Sequence, residues 1–247
     1  MKWVAQGHEL DKIAKQILWN CKSRDKFYIY GAGNLGKQLL ETLRRNGHFS
    51  AFIDNDVSKQ INGFCDESVI KFEDYKDMGN HNIIIIAASE KNTIEIKKEL
   101  DNEGFLANKD YYTYEEFLNQ IYPIIAMYCH DELFMSLCQI VLTERCSLKC
   151  KKCAHACYAT DYQTEDMTLE QVANSANNFF KRVDYIHEFV LIGGEPLLYK
   201  DLSKAIEYIG GKYRRQMGTF SITTNGTIMP DMDIIKACRK YNVLLRI

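Results

Sequence analysis

The sequence predicts an α/β protein built from two successive series of parallel strands and covering helices. Short apolar, β-branched runs alternate with amphipathic helical segments from Phe27 onward, which is the pattern of a parallel sheet covered by helices. The chain has 247 residues, 46% of them hydrophobic, enough for one large domain or two small ones with real cores. Neither an internal repeat nor a low-complexity segment interrupts this alternation.

The first series, residues 1–120, begins with a helix and a strand. The apolar run FYIY predicts a strand from Phe27 that breaks into the glycine-rich turn GAGNLG. A helix ahead of it is expected to pack on the edge of the domain. Its apolar residues are Leu10, Ile13, Ile17 and Leu18.

The alternation of strand and helix continues to the end of this series. KQLLETLRRNG predicts a helix with its leucines on one face, closed by Gly47. AFID is a second strand, and NIIIIAAS is typical of a strand buried on both faces. KNTIEIKKELDNEG predicts a helix that ends at Gly104, and a capping box of Thr113 and Glu116 starts a last short helix.

Residues 121–136 show no clear period and are the predicted linker to a second domain at 137–247. LCQIVLT, HEFVLI, FSIT and VLLRI predict four strands there. LEQVANSANNFFKRV, LSKAIEYIGGKY and DIIKACRKY predict the helices between them. The expected architecture is therefore a second parallel βα series.

The charge balance argues against two classes of partner. Thirty-one basic and 33 acidic residues give a net charge of -2, and no basic run resembles a nucleic-acid footprint. The N-terminal segment has no apolar signal region, and no stretch is long enough to span a bilayer. We therefore expect a cytoplasmic protein that binds neither nucleic acid nor membrane.

Nine cysteines in an unsecreted chain favour metal binding over disulfides. The run CSLKCKKC sets Cys146, Cys150 and Cys153 directly after a predicted strand. Three thiolates on one loop suit a [4Fe–4S] cluster, because they leave its fourth iron open to another ligand. Structural zinc would need a fourth protein ligand, which Cys157 or His155 could supply. On the loop alone, iron–sulfur, zinc and unliganded cysteines all remain open.

Two further motifs follow the next two strands. HEFVLI ends in GGEP at 193–196, and FSIT ends in TTNG at 223–226. Either motif by itself reads as a tight turn. In a parallel βα barrel, however, the carboxyl ends of the strands meet at the face where active sites are built. The three motifs are therefore expected at one site.

The ordered set C-x3-C-x2-C, GGEP and TNG resembles the signature of the radical S-adenosylmethionine (SAM) superfamily, whose fold is a partial TIM barrel. The resemblance implies that the three cysteines hold a [4Fe–4S] cluster whose open iron binds SAM. It implies that Glu195 accepts from the SAM ammonium, directly or through a neighbouring carbonyl. The implied SAM contacts are Gly193, Gly194, Glu195, Pro196, Thr224 and Asn225.

The same resemblance implies the reaction. SAM would be cleaved reductively to a 5′-deoxyadenosyl radical that removes a hydrogen atom from the substrate, with an electron donor of flavodoxin or ferredoxin type. No further residue can be named as catalytic from the sequence. Because the family barrel usually has more than four strands, we expect a truncated barrel and a chain that is an incomplete, inactive portion of the enzyme.

The turn GAGNLG carries a second candidate site. Gly31, Gly33 and Gly36 form G-x-G-x-x-G between strand and helix, and Asp54 ends the second strand. This context predicts a Rossmann-like, nucleotide-binding domain, with a helix N-terminus for phosphate and an acid for ribose hydroxyls. Residues 26–106 resemble the front domain of bacterial nucleotide-sugar acetyltransferases, which implies a nucleotide-sugar ligand rather than NAD. A glycine turn that binds nothing is the alternative.

The favoured function is a radical SAM enzyme that acts on, or is regulated by, a nucleotide-linked metabolite such as a sugar of polysaccharide synthesis. One alternative is a non-catalytic nucleotide-sensing or scaffold protein with zinc in the cysteine loop. Another is an NAD-dependent oxidoreductase that uses the first half. The lack of a recognisable catalytic constellation beside GAGNLG counts against the oxidoreductase.

Overall fold

Two sheets, each with all its described strands in parallel, form the framework of the protein. They belong to two compact units, Met1–Glu132 and Leu133–Ile247. The structure, a computed structural model, describes residues 12–22, 24, 26–79, 82–153, 155–157 and 166–247. None of the helices in these ranges combines the length and apolar character that crossing a bilayer requires. The prediction of an α/β fold with parallel sheets is confirmed.

The first unit alternates strands and helices as the sequence predicts, although Leu10 of the predicted first helix lies outside the described residues. Its elements are α1 (Lys12–Cys21), β1 (Phe27–Tyr30), α2 (Asn34–Arg45), β2 (Phe49–Ile53), α3 (Val57–Asn62), β3 (Val69–Ile70), α4 (Phe72–Asp77), β4 (Ile83–Ile86), α5 (Glu90–Asn102), β5 (Tyr111–Thr113), α6 (Tyr114–Glu116), a π-helical turn (Phe117–Ile121) and α7 (Tyr122–His130).

The sheet of this unit has the order β3-β2-β1-β4-β5. Every residue of β1 and β4 is buried, which explains why FYIY and IIII are unbroken apolar runs. The strand order reverses beside β1, so that a crevice opens at the carboxyl ends of β1 and β4. The predicted capping box of Thr113 and Glu116 is confirmed at the start of α6.

Helical structure and the first residues of a strand occupy the predicted linker at 121–136. Helix α7 continues from the π-helical turn, and the Tyr122 hydroxyl donates to the Thr42 carbonyl at 3.2 Å. The π turn shifts the helical period, and Pro123 stands in the first helical turn, where its missing N–H costs no hydrogen bond. Because of these two features, the sequence of α7 lacks the regular apolar spacing by which a helix is predicted. The first unit extends to Glu132 instead of ending at residue 120.

The second unit starts at Leu133 rather than at the predicted residue 137, and its first strand begins at Phe134. The sheet order is β6-β7-β8-β9, the consecutive order that a parallel barrel requires. Its elements are β6 (Phe134–Val141), α8 (Leu169–Phe180), β7 (Tyr185–Ile192), a 3-10 turn (Pro196–Leu198), α9 (Leu202–Tyr213), a second 3-10 turn (Arg214–Gln216), β8 (Met217–Thr223), α10 (Met232–Tyr241) and β9 (Val243–Arg246).

A single apolar core joins this sheet to its helices. Alternate strand residues enter it, because successive side chains of a strand point to opposite faces. The helices contribute residues such as Val172, Ile206 and Ala237. The strand residues in the core include Cys138, Ile140, Phe189, Leu191, Phe220 and Ile222.

We predict that Gly36→Ala destabilises the first unit, because a Cβ at this position would lie 2.1 Å from the Gly31 carbonyl oxygen. Overpacking of this kind costs about 1–3 kcal/mol of the free energy of unfolding. Gly33→Ala is the matched control, since nothing lies within 4 Å of a Cβ there. Urea unfolding followed by circular dichroism measures both, and equal midpoints for the two variants would contradict the packing seen here.

Candidate functional site

The three motifs of the second unit meet at the carboxyl ends of β6, β7 and β8. The Gly194 amide donates to the Thr143 carbonyl at 2.9 Å, and the Glu195 amide donates to the Arg145 carbonyl at 2.8 Å. The GGEP turn is thereby joined to the start of the cysteine loop. The TTNG turn lies on the other side of GGEP, because β8 pairs with β7. The structure therefore brings the three predicted motifs together.

The two glycines of GGEP are required by packing of the chain on itself. A Cβ on Gly193 would lie 2.3 Å from the carbonyl oxygen of Thr143, and a Cβ on Gly194 would lie 2.3 Å from that of Arg145. The backbone following β6 thus passes directly against this turn. Close approach to a ligand is not needed to explain either glycine.

Glu195 is fully buried, with 0% of its surface exposed. Its Oε1 accepts from the Leu197 amide at 3.0 Å and from the Thr224 hydroxyl at 2.8 Å, and its Oε2 accepts from the Asn225 amide at 2.8 Å. The carboxylate therefore ties the turn after β7 to the turn after β8. The family resemblance implies that this carboxylate accepts from a SAM ammonium, whereas the structure places it among donors of its own chain.

Asn225 reaches from the TTNG turn to the cysteine loop. Its Nδ2 donates to the Cys146 sulfur at 3.6 Å and to the Ser147 hydroxyl at 3.1 Å. Its Oδ1 accepts from the amide and the hydroxyl of Thr227, at 3.0 and 2.6 Å. Thr224 is buried and also accepts from the Gly226 amide at 3.1 Å. Both predicted SAM contacts are thus engaged within the protein.

The cysteine loop itself has little regular structure. Cys150 is exposed, Cys146 and Cys153 are half-buried, and none of the nine cysteines, all in described ranges, forms a disulfide. No three His, Cys, Asp or Glu side chains among the described residues are close enough together to hold a metal ion as they stand.

The cysteine thiols of the loop are the type of donor that binds an iron–sulfur cluster. Hydrogen bonds from the backbone amides of Cys157 and His155 lower the pKa of the Cys153 thiol, which favours the thiolate form that binds metal. Burial, together with the neighbouring Cys153, raises the pKa of Cys157 to about 11. Cys146 receives hydrogen bonds from the Leu148 amide at 3.4 Å and from Asn225.

Arg145 is a site residue that the sequence reasoning missed. Its guanidinium donates to Asp166 through Nε at 2.9 Å and to the Leu198 carbonyl through Nη2 at 2.8 Å. The hydrogen bond from Arg145 lowers the pKa of Asp166. Arg145 thus fastens the start of the cysteine loop to the chain that follows GGEP. Its position next to Cys146 was the available signal, but its partner carboxylate is remote in sequence.

In the first unit, Asp54 is bound to the glycine turn. Its Oδ2 accepts from the Ala32 amide at 2.8 Å and from Lys59 Nζ at 3.1 Å, and its Oδ1 accepts from the Asp56 amide at 3.0 Å. Burial acts to raise the pKa of Asp54, but these hydrogen bonds outweigh it and lower the pKa. The carboxylate predicted to bind ribose hydroxyls is largely committed to its own chain.

The three motif glycines of this unit differ in their surroundings. Gly31 has φ of +119°, and a Cβ would lie 2.5 Å from the Ala87 carbonyl oxygen, whereas Gly33 faces open space. No side chain of the described residues caps α2 at Gly33. A cavity of about 620 Å³ adjoins this helix start, lined by Leu35, Ile86 and residues of α5 and α6.

Sequence comparison finds relatives of the second unit. Residues 140–247 match the Radical SAM superfamily. GTP 3′,8-cyclase of Erythrobacter litoralis is 31% identical over 93 residues, which are 38% of this chain and 27% of that protein. GTP 3′,8-cyclase of Marinobacter nauticus is 30% identical over 94 residues, again 38% and 27%. The match thus spans about a quarter of the length of these curated relatives.

Comparison with solved structures finds SuiB of Streptococcus suis. SuiB bound to its precursor peptide SuiA aligns with a TM-score of 0.37 and 17% identity, over 63% of this chain and 35% of that one. SuiB bound to S-adenosylmethionine aligns with a TM-score of 0.35 and 20% identity, over 63% and 34%. The family match agrees with the parallel βα series and its three converging motifs, and it shows that residues 140–247 of this chain are similar to the radical SAM superfamily.

Proposed function

We propose that the second unit is the cofactor-binding part of a radical SAM enzyme. The observation that carries this proposal is the convergence of the cysteine loop, GGEP and TTNG at the carboxyl ends of neighbouring strands, within the region that matches the family. That edge is where parallel βα folds build active sites. The relatives are enzymes by name, which agrees with an enzymatic role.

Cys146, Cys150 and Cys153 would hold the [4Fe–4S] cluster, with SAM on its open iron. The chemistry that the cluster and SAM supply when bound is reductive cleavage to a 5′-deoxyadenosyl radical, driven by an electron donor of flavodoxin or ferredoxin type. Three exposed lysines lie between the cysteines, namely Lys149, Lys151 and Lys152. Their positive charge would stabilise the net negative charge of a thiolate-bound cluster.

SAM contacts from GGEP would come from backbone atoms of Gly193, Gly194 and Pro196. The carboxylate of Glu195 is already engaged with three donors, so its part is to shape the turn. Thr224 and Asn225 would likewise shape the site through the network described above. Of the SAM contacts that the family resemblance implies, this leaves those made by the backbone of GGEP.

The substrate that we propose is a nucleotide-linked metabolite, such as a nucleotide-sugar. Two observations support this class. The curated relatives are named for GTP, a nucleotide. The first unit has the strand order of a doubly wound nucleotide-binding sheet, with a glycine turn and an uncapped helix start beside a cavity.

Within this class, we favour a nucleotide-sugar over NAD as the ligand of the first unit. An NAD site needs an acid at the end of the second strand to hold the ribose hydroxyls. Asp54 stands at that place but is bound to Ala32, Asp56 and Lys59. The open space at Gly33 suits close approach of a phosphate to the start of α2.

One observation favours a second candidate function, a zinc-binding protein without radical chemistry. Cys157, the possible fourth ligand, is in side-chain hydrogen-bond contact with Cys153. Four sulfur donors would complete a tetrahedral zinc site. The identity of the metal and the role of Cys157 distinguish the two functions.

We predict that the chain takes up iron and sulfide under anaerobic reconstitution, turns brown, and gives a paramagnetic signal on reduction. Cys146→Ala, Cys150→Ala and Cys153→Ala should each abolish the signal, because each removes one iron ligand. Cys157→Ala is the matched control from the same loop and should keep it. If the chain instead took up zinc, gave no such signal, and lost its zinc uptake in Cys157→Ala, the zinc-binding function would replace this proposal.

A companion assay addresses catalysis. Once reconstituted and reduced without oxygen, the full-length parent enzyme should form 5′-deoxyadenosine from SAM, and this chain is assayed alongside it. A parent that holds the cluster but produces no 5′-deoxyadenosine with any nucleotide-linked substrate would argue against the proposed chemistry.

For the first unit, calorimetric titration should show binding of a UDP-sugar and little or no binding of NAD. Gly33→Ala should lower the affinity for the UDP-sugar by about tenfold or more, equivalent to about 1.4 kcal/mol of binding free energy. The added methyl group fills the space that a phosphate would approach. Glu41→Ala, exposed on α2, should bind as the unchanged protein does. Tighter binding of NAD than of the UDP-sugar would refute this assignment.

A further inference from the structure

A chain of hydrogen bonds runs from the buried interior of the second unit to the first cysteine of the loop. It starts at the Glu195 carboxylate, passes through the main chain of Asn225, and ends where the Asn225 side chain meets the Cys146 sulfur. Glu195 and Asn225 are thirty residues apart in sequence. Tertiary structure alone joins them.

The first step of this chain is rigid. Glu195 has no exposed surface, and its carboxylate accepts from Leu197, Thr224 and Asn225. A carboxylate is stable in such a place only when it is well hydrogen-bonded. Breaking one of these bonds would leave a buried charge or amide without a partner, so the Asn225 amide is firmly held.

The second step leaves the Asn225 side chain no spare capacity. A primary amide has two N–H donors and one oxygen with two lone pairs. Both donors are used, on Cys146 and Ser147, and the oxygen accepts twice from Thr227. The side chain is therefore fixed in rotation, with an N–H aimed at the Cys146 sulfur.

The Ser147 hydroxyl adds a further connection. It lies 2.7 Å from the Thr227 hydroxyl and 3.1 Å from Asn225 Nδ2. The start of the cysteine loop is thus fastened to the TTNG turn by two neighbouring residues, Cys146 and Ser147. Cys150 is exposed, and no hydrogen bond to its thiol is found among the described residues.

We propose that Asn225 is a positioning residue that holds the Cys146 sulfur through its side-chain amide and is itself held by the buried carboxylate of Glu195. This role rests on the proposed function, in which Cys146 is a ligand of the cluster. Cys146 is then the ligand whose sulfur is held by the turn after β8. The N–H donated to its sulfur also stabilises the more negative, reduced state of a cluster, because hydrogen bonds to sulfur ligands set reduction potentials.

Two variants of the full chain test this. Asn225→Ala removes the donor from a half-buried position without adding charge. Glu195→Gln keeps one oxygen acceptor but places an NH₂ group opposite the backbone amide of either Leu197 or Asn225, which disturbs the network that holds Asn225. Met229→Ala, at a side chain that is 87% exposed near the same turn, is the control. Circular dichroism establishes that each variant is folded.

The first readout uses the metal-free chain. Hydrogen–deuterium exchange across residues 143–149 should become faster in Asn225→Ala and in Glu195→Gln and should stay unchanged in Met229→Ala. Combining the first two variants should add little to either alone, because residues of one network are not additive. Unchanged exchange in Asn225→Ala would overturn the proposal, even if Glu195→Gln fails to fold.

The second readout uses the reconstituted protein. The midpoint potential of the cluster, measured by redox titration, should move to lower values in Asn225→Ala while iron content stays near that of the unchanged protein. An unshifted potential would show that the Asn225 amide does not act on the bound cluster and would overturn the proposal. Failure of the unchanged chain to assemble any cluster would instead count against the proposed function, and the exchange measurement would still decide whether Asn225 holds Cys146.

Discussion

A carboxylate in a protein interior is costly unless its lone pairs are matched by donors, and Glu195 meets this condition with three hydrogen bonds. The arrangement of the candidate site depends on it. The carboxylate joins the turn after β7 to the turn after β8, and Asn225 extends this connection to the cysteine loop after β6. Three loops that are separate in sequence thereby hold one another in place.

Acids in binding motifs have a similar role in both units. Glu195 follows the glycines of GGEP, and Asp54 follows the glycine turn of the first unit by one strand. Each is the residue to which a ligand contact would first be assigned, and each instead accepts from backbone amides of the chain itself, Leu197 and Asn225 for Glu195 and Ala32 for Asp54. Most motif glycines are likewise explained by packing within the chain. A Cβ on Gly31, Gly36 or Gly194 would meet neighbouring backbone atoms, whereas Gly33 faces open space.

The cysteine loop contrasts with this rigid surround. Its first residues are held by hydrogen bonds of Arg145, Ser147 and Asn225, whereas Cys150 is exposed. Its donor chemistry suits an iron–sulfur cluster, although its sulfur atoms are not gathered in the described structure.

Local pattern alone determined most of the architecture. Unbroken apolar runs marked β1 and β4, the capping box marked α6, and cysteine spacing marked the candidate ligands, because each is a property of a few consecutive residues. Helix α7 escaped this reasoning because a π turn and Pro123 disturb its period. Only the tertiary structure showed that Arg145 pairs with Asp166 and that Glu195 holds Asn225. The physical reason is that a side chain's hydrogen-bond partners are selected by the packing of remote segments, which residue spacing along the chain does not encode.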